Sequence, residues 1–163
     1  MTSNIYVIDT SSLIRLNKEN PLDVFPTVWK RLEELAKNGR LIAPREVLDE
    51  IVRRDDQLKA WAKKQKGMFK EPTQSQTEQV RDILSKYPSI VNVDKLHSAD
   101  PWVIALTLDL ANNPQKTLMT IKRIVVTEER LRGNQITIPF VCQQYSIEAI
   151  DIVDMFRTES WKF

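Results

Sequence analysis

Short apolar runs alternate with longer amphipathic segments along most of the chain. Four apolar runs of strand length predict buried strands, and they cover residues 5–8, 41–43, 90–93 and 124–126. A further apolar run at residues 138–141 contains Pro139, which predicts a fifth strand at an edge of the sheet. The chain is therefore expected to contain a sheet of short strands.

Between these runs, apolar residues recur every three or four positions, as they do on one face of a helix. This periodicity predicts helices over residues 13–16, 28–36, 45–66, 77–87, 100–110 and 146–157. The alternation of strands and helices favours an α/β fold with a mostly parallel central sheet, arranged as three α/β/α layers. With 163 residues and no linker, the chain is predicted to form a single domain over residues 1–163.

Acidic residues follow the predicted strands, at the ends that a parallel sheet gathers at one edge. They are Asp9, Glu46, Asp49, Glu50, Asp94, Asp100, Glu128 and Glu129. Open α/β sheets form their sites beyond the carboxyl ends of the strands. Carboxylates gathered there repel one another unless a cation neutralises them, and Mg²⁺ and Mn²⁺ prefer oxygen ligands. The acids therefore predict a divalent-metal site at this edge.

The residues alone leave several choices open among these acids. Asp49 and Glu50 flank the apolar stripe of their helix on opposite edges, so periodicity does not choose between them. Glu128 and Glu129 are neighbours at a strand end, where either could be a surface acid. Asp100 stands just before a proline, where helix capping alone would explain it.

Composition excludes several classes of protein. Cys142 is the only cysteine and His97 the only histidine, which excludes intrachain disulfides and argues against a multi-histidine zinc site or a Ser-His-Asp hydrolase. No apolar run approaches the roughly 18 residues that cross a bilayer, and the polar start of the chain is unlike a signal peptide. We therefore expect a cytoplasmic protein that does not associate with membranes.

Positive charge is concentrated in one segment. The net charge is only +2, but residues 53–70 hold seven Lys or Arg and two Asp. A basic helix can follow a phosphate backbone, which makes Lys59, Lys63 and Lys64 candidate contacts to RNA. The alternative is a helix whose lysines face water and whose Trp61 packs into the core.

Four segments, in order along the chain, resemble the sequence motifs of PIN-domain nucleases. They are residues 5–12, 47–51, 98–106 and 125–129. The first is similar to the apolar strand, Asp and hydroxyl residue that open these proteins, and the third to an Asp that opens a helix. The resemblance selects Glu50, just before an Ile, in the second motif. It selects Glu129, two residues after a Thr, in the fourth, where PIN domains more often carry Asp or Asn.

This resemblance implies a divalent-metal-dependent endoribonuclease. The residues that would hold one or two Mg²⁺ or Mn²⁺ ions are Asp9, Glu50, Asp100 and Glu129. Hydroxyl groups that would orient a carboxylate or a water belong to Thr10, Ser11 and Thr127. The reaction would be hydrolysis of RNA phosphodiester bonds, with a 5′-phosphate and a 3′-hydroxyl as products.

The resemblance also suggests partners. The segment 138–142 and the helix after it are similar to an uncharacterised bacterial PIN-like subfamily whose members resemble VapC-type toxins. This implies the toxin of a toxin–antitoxin pair, with an antitoxin or a second copy of the chain in a homodimer as partner. The alternatives are a catalytically weak PIN-fold interaction module, a nuclease acting on DNA, or a phosphatase with an aspartyl nucleophile. Such phosphatases carry a second Asp where this chain has Ser11.

Overall fold

A sheet of five parallel strands runs through the centre of the computed structural model, which describes residues 2–91, 98–112 and 120–163. The strands are β1 (Thr2–Ile8), β2 (Leu41–Pro44), β3 (Phe69–Lys70), β4 (Thr120–Val126) and β5 (Glu148–Ile150). Their order across the sheet is β3-β2-β1-β4-β5. The predicted α/β fold with a mostly parallel sheet is confirmed, and the helices around it are consistent with three layers.

The described residues also form eight helices and one 3₁₀ turn, Pro88–Ile90. The helices are α1 (Thr10–Glu19), α2 (Pro26–Lys37), α3 (Arg45–Arg54), α4 (Asp56–Lys64), α5 (Gln74–Lys86), α6 (Asp100–Asn112), α7 (Ile138–Gln144) and α8 (Ile152–Thr158). In these described ranges, no helix combines the length and the apolar character that crossing a membrane requires.

Strand β1 is the middle strand of the sheet, and its apolar residues are covered on both faces. Tyr6, Val7 and Ile8 are completely buried, as are Val125 and Val126 of β4. Such uninterrupted burial is typical of parallel strands with helices on both sides. Because Ile8 is in register with Val126, the residues that follow β1 and β4 are neighbours at one edge of the sheet.

The long helix predicted over residues 45–66 is wrong, because α3 and α4 are separate helices. Asp55 interrupts them with an extended backbone, and its carboxylate accepts a hydrogen bond from the Leu58 N–H at 2.9 Å. An aspartate that caps a new helix in this way interrupts the preceding helix. Strand β3, which follows α4, was not among the predicted strands.

Two predictions near the C-terminus are also wrong. The run at residues 138–141, predicted as an edge strand, belongs to helix α7. Thr137 caps α7 by accepting the Phe140 N–H at 3.4 Å, and Pro139 lies in its first turn, where a missing N–H does no harm. The segment 146–157, predicted as one helix, contains strand β5 and most of α8. Asp151 caps α8 by accepting the Asp154 N–H at 2.8 Å.

The strand predicted at residues 90–93 is only partly described. Ile90 closes the 3₁₀ turn instead of starting a strand, while residues 92 and 93 lie outside the described chain. Asp94 and His97 lie outside it too. The helices predicted over residues 28–36, 77–87 and 100–110 are confirmed as α2, α5 and α6.

Candidate functional site

Asp9 lies at the carboxyl end of β1 and is held beside the end of β4. Its backbone N–H bonds to the Val126 carbonyl oxygen at 2.8 Å, and only 4% of the residue is exposed. The Oδ2 atom of Asp9 accepts hydrogen bonds from Ser11 Oγ at 2.7 Å and from Thr127 Oγ1 at 3.1 Å. Although Asp9 precedes α1, its side chain makes no capping bond to that helix. Its carboxylate is therefore positioned by hydroxyl groups of two different elements.

Glu50 projects from α3 into the protein, whereas its neighbour Asp49 projects outward. Glu50 is 6% exposed, and its Oε1 accepts the Ala99 N–H at 2.8 Å. Asp100, the first residue of α6, comes directly after Ala99. The side chain of Asp49 is 46% exposed and lies 3.8 Å from the Arg45 guanidinium. The fold thus brings Glu50 close to the start of α6 and leaves Asp49 at the surface.

The carboxylates of Asp9 and Glu50 are close enough to repel each other. Burial raises the pKa of Asp9, and the charge on Glu50 raises it further, while the bonds from Ser11 and Thr127 act in the opposite direction. Two buried groups of like charge are unfavourable unless a cation or a proton neutralises one of them. The pair therefore fits a positively charged ligand.

Thr10, next to Asp9 in the chain, carries an unsatisfied hydroxyl. The residue is 2% exposed, and its Oγ1 is buried without a hydrogen-bond partner in the described part of the protein. Buried hydroxyl groups are nearly always hydrogen-bonded. A water held beside Thr10 would supply the missing contact.

Glu128 is engaged in joining three parts of the structure. Its Oε1 forms an ion pair with Arg15 of α1, and its Oε2 accepts bonds from Ser12 Oγ at 3.0 Å and the Ile152 N–H at 3.2 Å. These contacts tie the end of β4 to the first turns of α1 and α8. Sequence reasoning did not find this role of Arg15, although Ser12 and Arg15 share one helix face by their spacing.

Glu129 is oriented differently. Its N–H donates to Thr127 Oγ1 at 3.2 Å, the same hydroxyl that bonds to Asp9. Its Oε2 accepts the Ile138 N–H at the start of α7, at 2.9 Å. Burial raises the pKa of the Cys142 thiol to about 12, and the charge on Glu129 contributes to that shift. Glu129 is therefore linked to Asp9 through Thr127, with one oxygen at a helix N-terminus.

We refer to Asp9, Glu50, Asp100 and Glu129 as the acid cluster. Asp9 and Glu50 repel each other, the Glu129 N–H shares the Thr127 hydroxyl with Asp9, and Asp100 follows the residue whose N–H bonds to Glu50. All four offer oxygen donors of the kind that Mg²⁺ and Mn²⁺ prefer. Among residues 2–91, 98–112 and 120–163, no three His, Cys, Asp or Glu side chains are grouped so as to hold a metal ion. The cluster thus fits a divalent ion in charge and in donor type, while its side chains do not yet surround one point.

The part of the basic segment that forms α4 packs against α2, whereas Arg53 of the same segment belongs to α3. Trp61 is 5% exposed, packs edge-on against Trp29 with ring centroids 5.0 Å apart, and donates to Glu33 Oε1 at 3.0 Å. Lys63 and Lys64 are exposed, and Lys64 lines a cavity with residues of α2, which ends just before β2 begins. Lys64 is therefore on the side of the sheet where β2 starts, and Trp61 belongs to the core.

Comparison with known proteins gives a match to a protein-family model. This model, described as Domain of unknown function (DUF4411), matches residues 6–163 and so includes the whole acid cluster. No curated protein matches the chain, and no solved structure matches it.

Proposed function

The chain therefore belongs to that family, and we propose that it is a divalent-metal-dependent endoribonuclease that hydrolyses RNA phosphodiester bonds. The observation that carries the proposal is the buried pair Asp9 and Glu50 at the carboxyl edge of a parallel sheet. Their carboxylates repel each other, and a bound cation would neutralise this repulsion. The resemblance of four segments to the motifs of PIN-domain nucleases supports the same activity.

The acid cluster would hold Mg²⁺ or Mn²⁺, and the hydroxyl groups around Asp9 would fix the position of the Asp9 carboxylate. Ser11 and Thr127 hold Oδ2 of Asp9, so this carboxylate loses little freedom when an ion binds. Thr10 offers its unsatisfied hydroxyl to a water of the site. Asp100 or Glu129 would turn toward Asp9 when the ion binds, because a third carboxylate is needed to complete the ligand set.

The reaction is attack of water on phosphorus, with release of a 3′-hydroxyl and retention of the phosphate on the 5′ side of the other product. A bound divalent ion would supply positive charge that acidifies a water and offsets charge developing on the phosphate. The acids provide the negative charge that localises the ion, and burial excludes competing solvent from Asp9 and Glu50. By resemblance to VapC-type toxins, we propose a cytoplasmic toxin that binds an antitoxin or a second copy of itself.

One observation favours a second candidate, a catalytically weak interaction module of the same fold. As the side chains stand, no three acids of the described chain surround a common point. A module of this kind would keep the acids for stability or for partner contacts and would not cleave nucleic acid. The two candidates differ in their response to metal.

Metal addition is the direct test of the proposal. Purified protein should cleave single-stranded RNA with Mn²⁺ or Mg²⁺ and should be inactive in EDTA, since the buried acids then lack their cation. Mn²⁺ at a hundred times its Kd should stabilise the fold by about 2.7 kcal/mol, which a thermal melt with and without metal measures. A DNA of the same sequence serves as the matched substrate and identifies a DNA nuclease if it is cleaved faster.

Other outcomes separate the candidates. Equal cleavage in EDTA contradicts a metal mechanism. Stabilisation by Mn²⁺ without cleavage of RNA or DNA supports the interaction module. Absence of both effects removes the metal site itself.

The lysines of α4 make a separate prediction about long RNA. Changing Lys59, Lys63 and Lys64 to Glu should weaken binding of long RNA and reduce the salt slope of log Kd by about 2, because each lost phosphate contact to a single strand contributes about 0.7. Cleavage of an RNA too short to reach α4 should not change. Filter binding at several salt concentrations measures the first effect.

A control variant carries the same change of charge elsewhere. It has exposed lysines on α1, on α2 and near the C-terminus changed to Glu, namely Lys18, Lys30 and Lys162. A salt slope that changes equally in both variants would assign the effect to net charge and would contradict an RNA path along α4.

A further inference from the structure

A groove of about 840 Å³ borders the acid cluster. Glu46 and Arg53 of α3 line one side of it, and Ser98 and Trp102 at the start of α6 line another. Ser98 directly precedes the residue whose N–H bonds to Glu50, so the groove lies next to the proposed catalytic acids. Its volume is within the range of small-molecule sites and is sufficient for one nucleotide.

Glu46 contributes an acceptor that has no partner. Its Oε2 is shielded from solvent and receives no hydrogen bond from the described residues. Loss of solvation raises the pKa of Glu46, and the opposing effects of its own backbone N–H and of Arg45 do not cancel that shift. Because buried acceptors are nearly always satisfied, this oxygen is suited to an N–H donor that a ligand brings.

Two neighbours in the groove offer the other contacts that an unpaired nucleotide makes. Trp102 is partly buried, and aromatic rings of this kind stack on single-stranded bases. Arg53 is exposed, donates through Nε to the Asp49 carbonyl oxygen at 3.2 Å, and forms no ion pair within the described chain. Its guanidinium can therefore bind a phosphate, whereas Arg45 is already paired with Glu71 at 2.9 Å.

We propose that this groove binds an unpaired guanine base of the RNA substrate, with the carboxylate of Glu46 accepting from guanine N1–H and N2–H. Guanine presents two adjacent N–H donors on its Watson–Crick edge, and a carboxylate presents two acceptors to match them. Adenine and cytosine place an acceptor nitrogen beside their amino group, and uracil flanks its N–H with two carbonyl oxygens, so each would repel the carboxylate. Trp102 stacks on the base and Arg53 contacts a phosphate.

This inference rests on the proposed ribonuclease activity for its substrate, but it can be tested by binding alone. Fluorescently labelled oligouridines with one central guanine, adenine or cytosine are compared with the unmodified oligouridine by anisotropy in EDTA. The wild-type protein should bind the guanine-containing RNA at least about tenfold more tightly, which is within the range for a bidentate contact to a base.

The variant Glu46→Gln should reduce this preference to about threefold or less, because the glutamine NH₂ group would face one of the two guanine N–H donors. Asp49→Asn is the matched control: it removes the same charge from the same helix and groove, but its side chain is half exposed. It should keep the preference. Arg53→Gln should weaken binding of all four RNAs by a similar factor. Circular dichroism verifies that each variant is folded.

The outcomes distinguish this inference from the proposed function. Equal binding of the four RNAs by the wild-type protein, or a guanine preference that survives Glu46→Gln, overturns the guanine site. If the protein nevertheless cleaves RNA with Mn²⁺, the proposed nuclease activity is supported without the guanine site. A guanine preference that depends on Glu46, found together with no cleavage in Mn²⁺, supports the base site and overturns the nuclease.

Discussion

Replacing Asp9 with asparagine is expected to abolish RNA cleavage and, without metal, to stabilise the fold. Asp9→Asn keeps an oxygen for the O–H donors of Ser11 and Thr127 but removes a buried charge that Glu50 repels. The cleavage rate should fall on the order of a thousandfold, as expected when a group that helps to stabilise charge in the transition state is lost. In EDTA, each kcal/mol of relieved repulsion should raise the Tm by about 2–4 °C. Initial rates and thermal melts measure the two effects.

The gain in stability should depend on pH in a direction that burial determines. Burial raises the folded-state pKa of Asp9 above its unfolded value, and the charge on Glu50 adds to this shift. A carboxyl group of this kind costs stability once pH exceeds its unfolded pKa of about 4, and the cost is complete above the folded pKa. The benefit of Asp9→Asn should therefore be largest at neutral pH and should vanish below about pH 4. Melts in EDTA across this range test it.

Adjacent acids on α3 provide the control. Glu50→Gln should lower cleavage as strongly as Asp9→Asn, since Glu50 is 6% exposed and repels Asp9. Asp100→Asn should also abolish cleavage. Asp49→Asn should have little effect, because its side chain is 46% exposed and lies beside the Arg45 guanidinium. Activity that survives Glu50→Gln but not Asp49→Asn would shift the second acid by one residue and contradict the assignment.

Hydrophobic periodicity predicted the core of the sheet and helices α2, α5 and α6, because buried faces produce a clear pattern of apolar residues. The runs at residues 5–8 and 124–126 are uniformly apolar and form the middle of the sheet. Local hydrogen bonds decided the elements that were predicted wrongly. Asp55 starts a new helix inside a continuous apolar pattern, and Thr137 with Pro139 starts α7 in a run that is apolar enough for a strand. Such bonds depend on single side chains and do not change the periodicity.

The place of the site was more predictable than the roles of individual acids. The rule for parallel sheets is sufficient to bring Asp9 and Thr127 together, because each follows a central strand. Periodicity could not separate Asp49 from Glu50, since both border the apolar stripe of α3. The contact of Glu128 with Arg15 joins residues 113 positions apart in sequence, so only the fold reveals that this acid already has a partner.

Glu128→Gln is expected to lower stability but to leave cleavage by the folded protein unchanged. Both carboxylate oxygens of Glu128 are used in contacts to Arg15, Ser12 and Ile152. The amide can keep one acceptor but loses the charge that faces Arg15. Because the Arg15 side chain is 34% exposed, solvent screens part of this loss, and the cost should be about 1–2 kcal/mol rather than the larger value of a fully buried pair. Urea unfolding measures it.

Glu129→Gln should have the opposite pattern, with cleavage reduced on the order of a hundredfold. The resemblance to PIN-domain motifs selects Glu129 as the fourth acid, whereas the carboxylate of Glu128 is already paired with Arg15. The amide oxygen can still accept the Ile138 N–H at the start of α7, which should keep the loss of stability small. Rates are compared per folded molecule, with Glu128→Gln as the matched variant. If cleavage instead depends on Glu128 and not on Glu129, the fourth acid is Glu128, and its ion pair with Arg15 must open when metal binds.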